Sequence, residues 1–214
     1  MSKVKICGLS RLEDIDAVNS ALPDYIGFVF APSRRRIDQA TAAVLKERLD
    51  GRIAAVGVFV DQDVETIAGL YDSGVINIAQ LHGDEDDGYI MRLKDCCGCT
   101  VIKAVGVGDA LPQLPENADY LLFDTLSVQR GGAGKSFDWS LLKSYEGLPY
   151  FLAGGLDAGK ISDAVRRLDP YCLDVSSGVE TKGIKDAGKI QEFVNLANSI
   201  DLLNWCDIIP EKKE

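Results

Sequence analysis

Few side chains in this 214-residue sequence stand where chemistry would need them. Asp124 closes the apolar run YLLFD, and a carboxylate there is paired, solvated or functional, because burying it alone is costly. Cys7 closes KVKIC, where a thiol is either a small buried hydrophobe or a reactive group. His82 lies just beyond the run that ends in Gln80 and Leu81. It is the only histidine, which argues against a histidine-dependent triad or a multi-histidine metal site. Arg34, Arg35 and Arg36 stand together after YIGFVF, as a solvated patch or as anion contacts. Gly154 and Gly155, and later Ser176, Ser177 and Gly178, are small enough for backbone N–H groups to approach a phosphate, or simply to turn the chain tightly. Asp174, just ahead of the second set, orients a neighbour or holds the last loop.

Two further motifs fail on inspection. QRGGAGKS (129–136) has the Gly134-Lys135-Ser136 ending of a P-loop, but the glycine required five residues before Gly134 is Gln129. Cys96 and Cys99 have C-x-x-C spacing, with Cys97 between them, yet there is no second pair to complete a structural zinc site. They fall between a helix and a strand, away from the other candidates, and read as incidental thiols.

Eight short apolar runs must position these residues: KVKIC (3–7), YIGFVF (25–30), AAVGVFV (54–60), INIAQL (76–81), TVIKAV (100–105), YLLFD (120–124), YFLAG (150–154) and YCLDV (171–175). Nearly continuous hydrophobicity over so few residues marks strands buried on both faces. Helical segments alternate with them. Ser10 and Glu13 have capping-box spacing before LEDIDAVNSAL, and Asp38, Asp63, Asp84, Asp138 and Asp157 each precede a helical pattern. ALPQLPENA carries Pro112 and Pro115 and predicts a short or irregular link. A last helix is expected from about Asp186 past Leu196. This order predicts a single-domain (β/α)₈ TIM barrel with eight parallel strands over residues 1–214 and a short C-terminal tail from about 199. An open doubly wound sheet is the alternative, because periodicity does not show closure. In either architecture the candidate residues gather at the carboxyl ends of the strands.

Lys plus Arg number 23 and Asp plus Glu 33, for a net charge of −10, and no basic run stands out, which argues against nucleic acid as a partner. No stretch nears the roughly 18 consecutive apolar residues of a membrane span, and MSKVKICGLSRLEDID lacks the character of a signal peptide. A cytoplasmic protein with free thiols is expected.

In combination, KICGL (5–9), GFVF with SRRRI (33–37), VGVFV (56–60), QLHG (80–83), FDT with GGAGKSFDW (131–139), LAGGL (152–156) and DVSSGVE with GIKD (183–186) resemble phosphoribosylanthranilate isomerase of tryptophan biosynthesis. The resemblance implies a cofactor-free, metal-free Amadori rearrangement of a small phosphorylated substrate by a monomer or homodimer. It implies Asp124 as general acid, Cys7 as general base, and Arg35 as the contact for the anthranilate carboxylate. His82 and Asp174 fall near the substrate, and Gly154, Gly155, Ser177 and Gly178 fall in the phosphate loops. Asp124 must then hold a proton near neutral pH, which burial would favour, whereas Cys7 needs positive charge beside it. SRRRI departs from the usual single arginine, so Arg34 and Arg36 stay open beside Arg35. A catalytically silent sugar-phosphate binder and a P-loop phosphotransferase are the competing classes.

Overall fold

Strands covered on both faces need apolar side chains on both, and each of the eight runs contains one. The computed structural model describes residues 2–125 and 137–206, with side chains as far as residue 200. Its main strands are β1 (Lys3–Cys7), β2 (Tyr25–Val29), β3 (Ala54–Phe59), β4 (Ile78–Leu81), β5 (Thr100–Val107), β6 (Tyr120–Thr125), β7 (Tyr150–Leu152) and β8 (Cys172–Val175). All neighbours pair in parallel, and β1 bonds to β8 as well as to β2, with Lys5 opposite Asp174 and Ile6 opposite Val175. That last pairing closes a (β/α)₈ barrel and excludes the open sheet.

The helices are α1 (Leu12–Ala21), α2 (Gln39–Arg48), α3 (Val64–Asp72), α4 (Asp87–Cys97), α5 (Ile161–Leu168) and α6 (Ala187–Cys206). Asp38, Asp63 and Asp86 cap α2, α3 and α4 by accepting from the backbone N–H of Thr41, Thr66 and Tyr89. The α4 cap is therefore Asp86 rather than Asp84. At α1 the Ser10–Glu13 box does not form. The helix starts at Leu12, so Asp14 occupies its third position, and the buried carboxylate of Asp14 accepts from the N–H groups of Ser10 and Arg11 at 2.9 and 3.1 Å.

Among the described residues no helix joins β5 to β6, where Pro112 and Pro115 remove donors. The pattern beginning at Asp138 yields only a 3₁₀ turn, Trp139–Leu142. That short turn also disfavours the P-loop class, which needs a full helix after its loop. Residues 129–136 themselves lie outside the described residues, as do 207–214 and the side chains of Trp205 and Cys206. Helix α6 runs on past 199 because Ser199–Cys206 contains no proline or glycine to stop it.

Alternation along the strands separates two apolar groups. Val4, Ile6, Phe28, Leu121, Phe123, Leu173 and Val175 pack against the helices, while Tyr25, Val56, Ile102, Leu122, Phe151 and Cys172 fill the barrel interior. Lys5 and Cys7 share the inward register of β1, and Asp124 and Asp174 share it on β6 and β8. Among the described residues no helix is long and apolar enough to cross a membrane.

Candidate active site

Parallel strands deliver their last residues to one mouth, so Cys7, His82, Asp124 and Ser176 meet at the same end of the barrel. The thiol of Cys7 packs with Val29, Val58 and Ala31, and Gly27 on β2 makes room for it. A Cβ at Gly27 would lie 2.7 Å from Sγ. Beneath Cys7, Lys5 is fully buried and donates from Nζ to Asp174 Oδ2 at 2.9 Å. Removing one partner from such a pair costs about 3–5 kcal/mol, because the other is left as an uncompensated buried charge. Oδ1 of Asp174 is buried and has no hydrogen-bond partner among the described residues. Burial pushes the Cys7 thiol up, the Lys5 ammonium opposes that, Asp174 pushes it up again and Lys185 opposes; the net direction is upward.

The acid side of the mouth is built from β4, β6 and the loop after β7. Asp124 Oδ1 accepts from the N–H of Thr125 at 2.7 Å, and Oδ2 lies 3.6 Å from His82 Nε2. Gln80 is buried and donates from Nε2 to His82 Nδ1 at 2.9 Å. Nδ1 is thereby the acceptor, and the ring proton of a neutral His82 sits on Nε2, facing the carboxylate. The burial expected for Asp124 is not found: its side chain keeps 23% exposure, because the carboxyl end of a barrel strand opens on the mouth. A brace outside the barrel holds the His82 loop. Lys103 donates to the carbonyls of Leu81 and Gly83 and to Glu85, and Glu85 accepts from the N–H of Gly83 and Asp61.

Gly154 (φ +84°) turns the chain beside the acid, where a Cβ would lie 2.6 Å from Thr125 Oγ1 and 3.3 Å from Asp124 Oδ1. Gly178 lies against the carbonyl of Leu156 too closely to carry any side chain. The loops holding Gly154–Gly155 and Ser177–Gly178 therefore touch, with a backbone approach only glycine permits. Among the described residues no hydrogen bond joins Cys7 to Asp124. They are connected around the mouth through Gly154, Leu156, Gly178 and Ser176, whose Oγ donates to the Cys7 carbonyl at 2.9 Å.

The arginines resolve into different places. Arg35 crosses over Gly8, whose φ of +86° and missing Cβ admit it, and donates from Nε and Nη2 to Glu180 at 2.7 and 3.1 Å. Arg34 also reaches Glu180 but stays exposed, and Arg36 is exposed with its backbone bridged to Val29. Glu180 belongs to a small hairpin, β9 (Glu180–Thr181) with β10 (Ile184–Lys185), whose turn residues Lys182 and Gly183 both have positive φ. The hairpin returns Lys185 to Ser176 and to Glu180 Oε1, at 2.8 and 2.9 Å.

Burial pushes the Glu180 carboxyl up, but hydrogen bonds from Arg35 and Lys185 outweigh it and bring the value down to about 2 from the ordinary 4.5. A depressed carboxyl stabilises the fold above its unfolded value and loses that contribution as pH falls toward the folded one. Urea unfolding of the wild type should therefore lose about 3 kcal/mol between pH 4.5 and 2 through this group. Glu180→Gln should flatten that limb; an unchanged slope would refute the coupling.

Lys5, Glu180 and Lys185 were not singled out from sequence; Gln80 was, but only as the polar end of its apolar run. The available signal was weak: Lys5 stands two residues before Cys7 and so shares its face. The cysteine cluster stays apart, with Cys96 and Cys97 ending α4 and Cys99 buried just before β5.

A sequence profile described as N-(5'-phosphoribosyl)anthranilate (PRA) isomerase matches residues 4–196. The N-(5'-phosphoribosyl)anthranilate isomerase of Endomicrobium trichonymphae is 50% identical over 201 residues, covering 94% of this chain and 100% of that one. The crystal structure of phosphoribosyl anthranilate isomerase from Thermotoga maritima superposes with a TM-score of 0.81 at 34% identity, over 93% of this chain and 100% of the other. A structure of such an isomerase in complex with reduced 1-(o-carboxyphenylamino)-1-deoxyribulose 5-phosphate has a TM-score of 0.79 at 32% identity, over 93% and 100%.

Proposed function

Because this chain belongs to the N-(5'-phosphoribosyl)anthranilate isomerase family, we propose that Asp124 and Cys7 are the acid and base of its reaction. The protein is an isomerase of tryptophan biosynthesis that converts N-(5'-phosphoribosyl)anthranilate to 1-(2-carboxyphenylamino)-1-deoxyribulose 5-phosphate. Asp124 gives its proton to the ribose ring oxygen as the C1–O bond breaks, and the anilino nitrogen lone pair forms the iminium. The Cys7 thiolate then takes the proton from C2, leaving an enolamine. C1 gains a proton as the C2 hydroxyl gives one up, and the ketone results. Each transfer contributes about 10²- to 10⁴-fold. The observation that carries this assignment is that both groups occupy inward register positions at the carboxyl ends of their strands, on opposite arcs of one mouth.

The remaining residues take supporting roles. The phosphate lies against the loops of Gly154, Gly155, Ser177 and Gly178, and Asp174, whose side chain keeps 8% exposure, faces the ribose. His82 presents Nε2–H beside the acid. Arg35 meets the anthranilate carboxylate with its Nη1 end, since Nε and Nη2 already serve Glu180. Arg35→Lys should keep kcat and raise KM about 10- to 100-fold, because a charged hydrogen bond with fixed geometry is lost. A KM within twofold of wild type would remove Arg35 from this role. The setting is the cytoplasm, the partner a small phosphorylated metabolite rather than nucleic acid, and the working unit a monomer or homodimer. The decisive experiment mixes the protein with freshly generated phosphoribosylanthranilate and follows the loss of its fluorescence. Folded protein without turnover would contradict the reading.

A further inference from the structure

A buried lysine paired with an aspartate inside a barrel is a poor way to gain stability. Apolar residues of the same volume commonly do as well or better, since both ions must be taken out of water. Lys5 and Asp174 nonetheless form such a pair at 2.9 Å, with the lysine fully buried, directly beneath the thiol. Lys5 and Cys7 stand two residues apart on β1 and so share its inward face.

We propose that Lys5 is a positioning residue for the base: its buried ammonium, anchored by Asp174, sets the pH at which the Cys7 thiol ionises. The proposal rests on Cys7 being the base. Every charged group around the thiol bears on it. Lys5 acts from β1, Asp174 from β8, and Lys185 from β10. Glu180 partly neutralises Lys185, while Arg35 spans Gly8 nearby; β2 offers only Gly27 and Val29. Lys185 is pulled down by burial and held up by Glu180, so its charge is shared. The Lys5 ammonium is different. Burial works against it, but Asp174 and then Cys7 more than compensate, and it is held above its ordinary range as a permanent cation. A thiolate forming beside it is stabilised without moving any group, while a protonated thiol is not.

The test needs no turnover. Alkylation of Cys7 by iodoacetamide is followed against pH by peptide mass spectrometry, so that the exposed Cys96 does not interfere. In Lys5→Met the midpoint of this curve should move to higher pH with its plateau kept. At a fixed pH below both midpoints the rate should fall about tenfold or more. A folded Lys5→Met protein with the wild-type midpoint overturns the proposal. If that variant does not fold, Lys5→Met/Asp174→Asn leaves neither charge unpaired. Its midpoint should still rise, because the lysine outweighs the aspartate at the thiol; a midpoint at or below wild type overturns the proposal. Full turnover in Cys7→Ala would instead remove the base assignment, and it would leave the alkylation result standing as a property of the thiol.

Discussion

Asp124→Asn should lower turnover by about 10²- to 10⁴-fold while the protein stays folded and KM moves little. The amide keeps the shape of the carboxyl, and its oxygen can still accept from the N–H of Thr125, the bond now 2.7 Å long. What it lacks is a proton to give. Without one, the ribose ring oxygen must leave as an alkoxide, and the iminium forms too rarely for Cys7 to act on it. Because the loss falls on the transition state and not on binding, kcat and kcat/KM should fall together. The neighbourhood adds a second signature. With the amide nitrogen in the place of Oδ2, it faces the Nε2–H of His82, donor against donor. Relief requires the other ring tautomer and a turned Gln80 amide, which places the buried Oε1 of Gln80 on Nδ1. Nitrogen NMR of His82 should therefore report a changed tautomer in Asp124→Asn. Activity within a few-fold of wild type would remove Asp124 from the role of acid.

The strands were legible because a parallel barrel asks one thing of each: apolar side chains on both faces for a few residues. KVKIC matches β1 residue for residue, and the other runs overlap their strands with ends displaced by one or two. The ends moved for local reasons. YFLAG shortens to Tyr150–Leu152 because Gly154 adopts a positive φ, which leaves the sheet. The α1 cap moved because which acid satisfies the first N–H groups depends on where the helix starts, and Ser10, Glu13 and Asp14 offer two solutions. Cys7, Asp124, Gly154 and Ser177 could be picked out because each sits at or just past the end of an apolar run.

Partners of those residues were harder to find. Lys5 looks like any lysine in a short strand, and its burial follows only from barrel closure against Asp174. Glu180 and Lys185 lie in strands of two residues each, too short for any periodicity to mark. The Asp124 expectation failed for a related reason. Hydrophobic neighbours in the chain suggested a buried carboxyl, but those neighbours face alternately inward and outward, and the last inward residue opens on the mouth.

Cys7→Ser should likewise cost about 10²- to 10⁴-fold in kcat, with the fold kept, since Oγ is smaller than Sγ and Gly27 already leaves room. Serine retains the reach of the base but not its acidity, so almost no alkoxide is present at any pH the protein survives. The wild type should carry a matching pH signature. Burial raises the thiol above its ordinary range, with Asp174 adding to it, and Lys5 and Lys185 only partly reverse this. At neutral pH most Cys7 is then protonated, and the single-turnover rate of C2 proton removal, the step that follows proton transfer from Asp124, should climb about tenfold per pH unit as the thiolate fraction grows, levelling off above the thiol's titration. The gain from a raised value is that the thiolate, once formed, is a stronger base for a proton on carbon. In Cys7→Ser this alkaline rise should vanish, leaving a flat profile. A wild-type profile that falls across the same range, or a serine variant that keeps the rise, would mean that some other group takes the C2 proton.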